Sequence, residues 1–430
     1  MKGTGYEAEP GEAEKVLLLY SGGLDTSVLL KMIRDKYNAG VITLTVDLGQ
    51  PDDFSAAKEK ALALGAEKAV VIDAKEEFCA DYISKAIKAN ALYEGKYPLH
   101  TALGRPLIAK IAVETAEKEG ADAIAHGCTG KGNDQVRLDA GILTLNPEMK
   151  IIAPVRKWAL CRGEEIAYAE KHGIPVSVST EKPYSIDENL WGRAVGGGAL
   201  EDASAEPKDD VFLWTGAGNA GGKAAEPAYA ELEFSSGVPF ALNGRPMPLH
   251  ELVAELNAIA GERGVGAIDM VEDKIVGIKT RYVYECPAAV CIIEAHRELE
   301  KLVCTIHENH FKPAVDQKWA YNVYAGLWYE PLMHGLNAFI DSVNSKVHGT
   351  VKLKLSGGNC TVVARSSENS LYDMELDSYE DGGSLFNQSA SAGFIELWSL
   401  QGRIAGRLKA KQKLQKVDGN EALAKQKCTA

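Results

Sequence analysis

The amino-acid sequence predicts an α/β protein: a doubly wound parallel-sheet domain, then a mixed α+β domain, then a C-terminal helix. Three observations predict this order. Short apolar runs and amphipathic stretches alternate from residue 15 to about residue 178. The alternation is lost after about residue 180. Near the C-terminus, apolar residues follow helical spacing and form one stripe along a predicted helix. Alternating strands and helices are typical of βαβ units in a parallel sheet.

The first predicted domain covers residues 15–178, after an acidic lead-in of residues 1–14. A continuous apolar run such as residues 16–20 indicates a strand that is buried on both faces. Parallel crossovers are right-handed, so a doubly wound sheet is the natural outcome. Predicted strands cover residues 16–20, 41–46, 69–72, 122–125, 151–152 and 176–178. Predicted helices cover residues 25–34, 55–64 and 106–119, the last one beginning at Pro106 and ending before Gly120.

The second predicted domain covers residues 179–385 and mixes strands with helices. Strand-like segments recur at residues 211–214, 229–234, 274–278, 351–355 and 360–363. Helices are predicted at residues 249–259, 291–302 and 331–346. Residues 386–430 form the third segment, in which apolar residues from Phe394 to Leu408 follow helical spacing. Such a helix packs either on its own domain or on a neighbouring subunit.

The composition excludes several classes of protein. The 430 residues carry a formal net charge of −13, which argues against a surface built to hold nucleic acid. No apolar run approaches the ~18–20 residues of a membrane span, and residues 1–14 lack the features of a signal peptide. The eight cysteines contain no C-x-x-C pair, and the histidines lack metal-ligand spacing. We therefore predict a cytoplasmic protein with reduced thiols and no metal site made of side chains alone.

The first chemical motif is the loop of residues 20–27, which reads YSGGLDTS and lies between a buried strand and a helix start. Its glycines allow a sharp turn, and free N–H groups at the helix start attract an anion. Ser21, Thr26 and Ser27 add hydroxyl donors. Asp25 would not suit a simple anion site, but it fits if it helps to hold Mg²⁺ beside phosphates. The alternative is an ordinary strand–helix turn in which Asp25 caps the helix.

The second motif is the loop of residues 126–137, which reads HGCTGKGNDQVR and follows the fourth predicted strand. Its glycines and Lys131 again suggest backbone N–H groups and a point charge near phosphate. Thr129 and Asn133 offer neutral hydrogen-bond partners, and Asp134 is a candidate to orient an amine. Arg137 can bind a carboxylate through two parallel bonds. The alternative is a solvated turn with incidental charges.

The first loop resembles the signature of one ATP-binding superfamily. It does not match G-x-x-x-x-G-K-[ST], so a kinase or GTPase is not implied. Its S-G-G-x-D-[ST]-[ST] pattern is instead similar to that of the PP-loop, or N-type ATP pyrophosphatases. Those enzymes split ATP between the α and β phosphates and transfer AMP to an oxygen.

The two loops together resemble the argininosuccinate synthase family. That family has a nucleotide-binding α/β domain, a synthetase domain and a C-terminal oligomerisation helix, and its members are typically homotetramers. The likeness extends from about residue 15 into the C-terminal helix. Further matching strings are residues 92–94, 105–106, 184–192, 264–266, 272, 279–281 and 284–288.

The resemblance implies a two-step ligation that uses ATP and Mg²⁺. The ureido oxygen of citrulline attacks the α-phosphate of ATP, pyrophosphate leaves and citrullyl-AMP forms. The amine of aspartate then attacks the activated carbon and displaces AMP, which gives argininosuccinate. Catalysis of this kind rests on positioning and charge stabilisation rather than on a covalent enzyme intermediate.

The resemblance also implies specific site residues. Citrulline is a zwitterion with a neutral ureido end, so it needs an anion such as Glu272 and a cation such as Arg137. The implied catalytic residues are Asp25, Lys131 and Asp134. The implied ATP-binding residues are Leu19, Tyr20, Ser21, Gly22, Gly23, Leu24, Asp25, Thr26, Ser27, Val46 and Gly127. Aspartate is assigned to Thr129, Asn133 and Asp134, and citrulline to Tyr93, Asn133, Arg137, Ser185, Glu272 and Tyr284.

Two positions depart from the family pattern. Some relatives carry Ser where this chain has Ala102 and Ala194, and both positions contribute to the citrulline site there. Thr101 could replace the first of these contacts, whereas the second has no evident substitute. These changes concern the details of citrulline recognition and not the class of reaction.

Two rival functions predict different sequence features. Another PP-loop adenylating ligase, such as a tRNA-modifying enzyme, predicts a basic face or a C-x-x-C pair, and the sequence has neither a basic balance nor such a pair. A nucleotide sensor that has lost turnover predicts damage at Asp25, Lys131 or Asp134, and all three residues are intact.

Overall fold

The first apolar runs form the strands of one parallel sheet. The computed structural model describes residues 5–158, 162–175, 184–216, 226–377 and 386–427. The predicted strand at residues 176–178 lies outside these ranges. The strands are β1 (Lys15–Leu19), β2 (Gly40–Asp47), β3 (Lys68–Asp73), β4 (Ala123–Ala125) and β5 (Lys150–Ile152), all parallel and in the order β3-β2-β1-β4-β5. The predicted α/β class with a parallel sheet is confirmed.

Helices connect these strands. Asp53 caps the second helix, because its carboxylate accepts a hydrogen bond from the amide of Ala56 at 2.9 Å. The helices are α1 (Leu24–Tyr37), α2 (Phe54–Ala63), α3 (Lys75–Glu77), α4 (Ser84–Lys88), α5 (His100–Glu119), α6 (Asp134–Leu145), α7 (Pro154–Trp158) and α8 (Arg162–Lys171). A π-helical turn, Phe78–Ile83, joins α3 to α4.

The order of the parallel strands reverses between β1 and β4. The chain proceeds from β1 outward to β3 and then returns to place β4 on the other side of β1. Ligands of open α/β sheets bind beyond the carboxyl ends of the strands at such a reversal. The first motif follows β1 and the second follows β4, so both loops lie at this point.

Two antiparallel sheets follow, with one group of helices. The remaining strands are β6 (Ser185–Asn189), β7 (Gly192–Gly196), β8 (Ala228–Ser235), β9 (Val238–Leu242), β10 (Arg245–Pro246), β11 (Ala267–Asp273), β12 (Lys279–Glu285), β13 (Gly349–Ser356) and β14 (Asn359–Ser366). One sheet has the order β11-β12-β7-β6 and the other β10-β9-β8-β13-β14. The helices are α9 (Leu249–Gly261), α10 (Pro287–Val303), α11 (Ile306–Tyr324) and α12 (Pro331–Asn344).

The loop between α4 and α5 is anchored at its second residue, Asn90. Asn90 has a positive φ of 41°, which suits a residue that ends a helix. Its side-chain amide donates to Glu300 at 2.5 Å and to Asp316 at 3.2 Å. Its carbonyl oxygen accepts from the Nδ1 atom of His296 at 2.7 Å. This buried polar cluster fixes the loop against α10 and α11.

The predicted start of α5 at Pro106 is wrong. The helix begins six residues earlier, at His100, and Pro106 lies in its interior. Proline is favoured in the first turn because it lacks an N–H group, and it is disfavoured later in a helix. Here the residues from His100 to Leu103 are all buried, so tertiary packing overrides the proline signal.

The predicted strand at residues 211–214 is also wrong. A short 3-10 helix, Asp209–Val211, is followed by an irregular segment. The amides of Leu213, Trp214 and Thr215 donate to the carboxylate of Glu285 at 3.1, 2.8 and 2.9 Å. Glu285 is itself paired with the buried Arg193 at 2.6 Å. Backbone donors that a strand would use in a sheet are thus satisfied by one buried side chain.

The predicted strand at residues 274–278 is a turn between β11 and β12. The amide of Lys274 donates to the carbonyl of Ile278 at 2.9 Å, and Gly277 donates back to Lys274 at 2.9 Å. Gly277 has a φ of 83°, which favours glycine at that turn position. The apolar residues of this segment had suggested a strand, but they form the tip of the β11–β12 hairpin.

The chain divides into two compact units, Met1–Leu371 and Tyr372–Ala430. The second unit contains α13 (Met374–Asp377), α14 (Ala390–Trp398) and α15 (Leu400–Lys427). Phe394 stacks on Trp398 at 5.4 Å, and both side chains are exposed. Of the described helices, none is both long and apolar enough to cross a membrane. The domain boundaries set above at residues 178 and 385 remain predictions.

Candidate active site

The loop of residues 20–27 makes the sharp turn that its glycines predict. Gly22 has a φ of 77°, and the carbonyl of Gly22 accepts a hydrogen bond from Lys60 Nζ at 2.9 Å. Gly23 precedes the first turn of α1. The hydroxyl of Ser27 donates to the carbonyl of Gly23 at 2.6 Å. The hydroxyl of Tyr20 lies 3.0 Å from the hydroxyl of Ser27. The start of this helix borders a cleft, which Gly23, Asp25 and Thr26 line.

The cleft lies at the carboxyl ends of β1, β2 and β4 and has a volume of about 660 Å³. Its walls come from the two predicted loops, from the segment after β2 and from β6. The predicted ATP-binding residues that line it are Leu19, Tyr20, Ser21, Gly23, Asp25, Thr26, Val46 and Gly127, whereas Gly22, Leu24 and Ser27 do not line it. Lining residues that were not predicted include Gln50, Asp52, Arg105, Cys128, Asp187 and Glu188.

The second loop is fixed by a buried histidine. The Nδ1 atom of His126 accepts a hydrogen bond from the amide of Cys128 at 3.2 Å. The Nε2 atom therefore carries the proton and donates to Asp139 at 2.8 Å. Arg156 donates to the other oxygen of Asp139 at 2.7 Å. These bonds fix the backbone that leads from β4 into Gly127.

A smaller and more enclosed pocket, of about 130 Å³, adjoins the cleft. It brings together residues that are far apart in the sequence. Six of the predicted substrate residues line it: Asn133, Asp134, Arg137, Ser185, Glu272 and Tyr284. The other lining residues are Tyr97, Thr101, Gly132, Asp187, Ala194, Lys274 and Tyr282.

Two arginines share Asp134 at the floor of this pocket. Arg137 Nη1 donates to one carboxylate oxygen at 2.8 Å, and Arg105 Nη2 donates to the other at 2.8 Å. Arg105 Nη2 also donates to Asp187 at 2.6 Å. Burial by itself would raise the pKa of Asp134, but the two guanidinium groups outweigh burial and hold the pKa well below its usual range. Asp134 therefore stays ionised.

Tyr324 links two of the predicted citrulline residues. Its hydroxyl accepts from the amide of Asn133 at 2.8 Å and donates to Glu272 at 2.8 Å. Tyr284 donates to the second carboxylate oxygen of Glu272 at 2.6 Å. Burial raises the pKa of Glu272, and the two hydroxyl donors partly offset this effect. The guanidinium of Arg137 lies over the ring of Tyr324 at 4.8 Å.

Tyr93 does not line this pocket, whereas Tyr97 from the same loop does. The hydroxyl of Tyr93 donates to the carbonyl of Asp273 at 2.7 Å, and its ring stacks on Tyr324 at 3.5 Å. Tyr97 stacks on Tyr284 at 4.1 Å and accepts from the amide of Thr101 at 3.1 Å. The sequence analysis named only Tyr93, and packing places Tyr97, four residues further along the chain, at the pocket wall.

Three further predicted residues lie at the surface. Thr129 and Lys131 are exposed and do not line the small pocket, and Asp25 is exposed at the edge of the cleft. The Gly132 amide donates to the carbonyl of Thr129 at 3.2 Å, which closes the turn that carries Lys131. Lys131 therefore extends from a tight loop into solvent beside the cleft.

The two alanine positions differ in their surroundings. Ala102 is fully buried and is not a lining residue, whereas Ala194 lines the pocket. Thr101 also lines the pocket, and its hydroxyl lies 3.0 Å from the Nε2 atom of His100. Burial lowers the pKa of His100 to about 4, so its ring is neutral near pH 7. A hydroxyl is thus available next to Ala102 but not at Ala194.

Several site residues escaped the sequence analysis: Tyr97, Arg105, Asp187, Lys274, Tyr282 and Tyr324. Arg105 and Lys274 are isolated basic residues in segments without a glycine-rich signature. Tyr324 lies at the end of a long helix, where an aromatic residue usually indicates a core position. Among the described residues, no group of three or more His, Cys, Asp or Glu side chains could hold a metal ion by itself.

Replacing Gly22 with alanine should weaken ATP binding about tenfold. A Cβ atom would lie 3.0 Å from Ala57 Cβ, and the φ of 77° disfavours any L side chain by roughly 1–2 kcal/mol. Calorimetric titration with ATP measures the effect.

Gly244→Ala provides the matched control for this variant. Gly244 has a φ of 73°, and a Cβ atom there would meet nothing within 4 Å. The control carries the same backbone cost and should bind ATP as the wild type does. Equal ATP affinity in the Gly22 and Gly244 variants would contradict a phosphate-binding role for the turn.

Comparisons with known proteins agree with these observations. Residues 15–175 match the family model described as the arginosuccinate synthase N-terminal HUP domain. Residues 184–405 match the family model described as the arginosuccinate synthase C-terminal domain. The two matches together span most of the chain.

Curated relatives give the same assignment over nearly full length. The argininosuccinate synthase of Pyrococcus furiosus is 55% identical over 392 residues, which cover 91% of this chain and 94% of the relative. That of Oceanobacillus iheyensis is 50% identical over 409 residues, which cover 94% of this chain and 97% of the relative. The chain therefore belongs to the argininosuccinate synthase family.

Proposed function

We propose that the protein joins citrulline to aspartate in an ATP-dependent reaction that releases AMP and pyrophosphate. One observation carries this proposal: the wide cleft and the small charged pocket share a wall at Asp187. A nucleotide in the cleft and an amino acid in the pocket would meet at that wall. Transfer of AMP to a substrate oxygen requires this arrangement.

In the first step, the ureido oxygen of citrulline attacks the α-phosphate and pyrophosphate leaves. The turn at Gly22 and the hydroxyls of Ser21 and Thr26 would hold the phosphates at the start of α1, where the helix dipole favours negative charge. Lys131 is well suited to keep contact with the pyrophosphate as it leaves, because Lys131 is exposed on a tight turn beside the cleft. The product of this step is citrullyl-AMP.

In the second step, the amine of aspartate attacks the ureido carbon and AMP leaves. Asp134 faces the pocket and stays ionised between Arg105 and Arg137, so it can accept hydrogen bonds from an amine. Its depressed pKa makes it a poor proton acceptor. Asp134 would therefore orient the amine rather than act as a strong base, and Asn133 and Thr129 would complete the aspartate contacts.

Mg²⁺ is the metal that the donor set fits. Asp25 is the only carboxylate in the YSGGLDTS loop, and it lines the cleft. Mg²⁺ in nucleotide sites is commonly held by one or two carboxylates together with phosphate oxygens and waters. Asp25 would supply the carboxylate. When bound, the metal would neutralise charge on the phosphates.

A cytoplasmic location and a tetramer complete the proposal. The six cysteines that lie in described segments are all free thiols, as expected in a reducing compartment. The exposed apolar face of α14 and α15, defined by Phe394, Leu397, Trp398, Ile404 and Leu408, fits an interface with another copy. This face supports the C-terminal oligomerisation role that the family resemblance implies.

The reaction can be tested by mass spectrometry of products. The protein is incubated with MgATP, citrulline and aspartate, and each component is then omitted in turn. We expect argininosuccinate, AMP and pyrophosphate in stoichiometric amounts only in the complete mixture. Release of AMP without citrulline, or binding of ATP without any product, would contradict the substrate assignment and favour another PP-loop adenylating ligase.

Replacing Tyr324 with phenylalanine should lower kcat/KM for citrulline by about 10- to 100-fold. The change removes the hydrogen bond that Tyr324 accepts from the Asn133 amide and the one that it donates to Glu272, and an unpaired buried polar group costs roughly 1–3 kcal/mol. Steady-state kinetics measure the effect.

Tyr321→Phe is the matched control on the same helix, because Tyr321 is exposed. It should leave the kinetics unchanged. If the Tyr324 and Tyr321 variants behaved alike, the link between Asn133 and Glu272 would have no role in citrulline binding.

Removing the residues from Phe394 onward should reduce the number of subunits in the particle that the protein forms in solution. The truncation deletes the apolar face of α14 and α15 that would otherwise be covered by another copy. Light scattering of the full chain and of the truncated chain gives both masses. A truncated protein that kept the subunit number of the full chain would exclude these helices as the interface.

A further inference from the structure

The charges that line the small pocket fall into two groups. Asp134 is bonded to Arg137, and Asp187 is bonded to Arg105. Glu272 and Lys274 are different, because neither has an opposite charge within ion-pair distance among the described residues. Within the described segments, the hydrogen bonds that Glu272 accepts come from the hydroxyls of two tyrosines, Tyr284 and Tyr324.

The ammonium group of Lys274 is half-buried and lies over an aromatic ring. Its Nζ atom is 5.6 Å from the centroid of the Tyr282 ring. Burial lowers the pKa of Lys274, although Glu272 and Asp134 partly counteract this effect. A cation that has lost water without gaining a carboxylate gains stability when an anion arrives.

The backbone around Lys274 is held firmly against the site. The turn is closed by the hydrogen bonds between Lys274 and Ile278 and between Gly277 and Lys274. The Ile275 amide donates to Asn133 at 3.1 Å, and the carbonyl of Asp273 accepts from Tyr93 at 2.7 Å. Lys274 therefore starts from a fixed position, two residues beyond Glu272.

We propose that Lys274 binds the α-carboxylate of citrulline, while Glu272 binds its α-ammonium group. An α-amino acid head group carries one positive and one negative charge, which match the two unpaired charges of the pocket. Arg137 is less suited to the carboxylate, because its charge is balanced by Asp134 and its Nε atom donates to the carbonyl of Tyr324 at 2.9 Å. Arg137 instead holds Asp134 and the ring of Tyr324 in place.

The inference rests on the proposed function, since it names citrulline as the amino acid in this pocket. Its consequence is specific: Lys274 should distinguish citrulline from an analogue whose carboxylate is uncharged. The α-amide of citrulline keeps the ureido group and the ammonium group but lacks the negative charge. Comparing the two substrates isolates the carboxylate contact from every other effect of a substitution.

The experiment measures kcat and KM for citrulline and for its α-amide in the wild type and in Lys274→Met. A hydrogen bond to a charged group contributes roughly 1.5–3 kcal/mol, which corresponds to about 10- to 100-fold in affinity. We expect the wild type to prefer citrulline by about that factor in kcat/KM. The variant should raise KM for citrulline by a similar factor, with kcat and the KM values for ATP and aspartate little changed. The ratio of the variant's kcat/KM for citrulline to its kcat/KM for the α-amide should fall close to one.

Two further variants serve as controls. Lys274→Arg keeps the positive charge and should keep most of the preference for citrulline. Lys279→Met removes an exposed lysine of the same hairpin that is paired with Asp273 at 2.6 Å, so it should behave as the wild type does. Thermal unfolding of each variant verifies the fold, and Lys274→Gln provides a second charge-free variant.

The outcomes separate this inference from the proposed function. A Lys274→Met variant that still prefers citrulline as strongly as the wild type would overturn the role of Lys274. An increase in KM for aspartate alone would overturn it as well, by moving the contact to the other amino acid. Failure of the wild type to form argininosuccinate would instead overturn the proposed function itself.

Discussion

The pairing of Asp134 with two arginines is the interaction on which the rest of the site depends. Asp134 begins α6, Arg105 lies within α5, and Arg137 is one turn further along α6. Arg105 extends the chain of charges to Asp187 on β6. Arg105 thus connects the parallel-sheet half, through Asp134, to the antiparallel half, through Asp187. Loss of Asp134 would leave the buried Arg137 without its carboxylate partner, which is costly in a protein interior.

The hydroxyl groups around Glu272 form the second constraint. They hold a carboxylate in a buried position without neutralising it, because tyrosine donates a hydrogen bond but carries no positive charge. Lys274 stands in the complementary situation, close to the ring of Tyr282 rather than to an anion. A pocket that keeps two opposite charges apart is suited to a zwitterion, and the adjoining cleft is suited to a nucleotide. The difference between Arg137, which is paired with Asp134, and Lys274, which has no ion-pair partner in the described part of the chain, follows from the neighbours of each side chain and not from residue type.

The regular parts of the first half were predictable because their signals are local. Continuous apolar runs gave the strands of the parallel sheet, and glycine-rich loops after β1 and β4 indicated where a ligand would bind. The errors have a common cause, which is tertiary contact. Pro106 indicated a helix start, yet burial of the preceding turn extended α5 to His100. Residues 211–214 looked like a strand, yet the carboxylate of Glu285 took up their amides.

The sequence by itself determined the class of fold, the sharp glycine turn after β1 and the family resemblance, since each depends on residues close together in the chain. It also identified Asn133, Asp134, Arg137, Ser185, Glu272 and Tyr284, which the folded chain gathers in one pocket. Only the tertiary structure decided that Tyr97 rather than Tyr93 lines that pocket and that Lys274 has no ion-pair partner among the residues that the structure describes. Hydrogen bonds and ion pairs between distant segments set those outcomes, and no local pattern records which partner a side chain will meet.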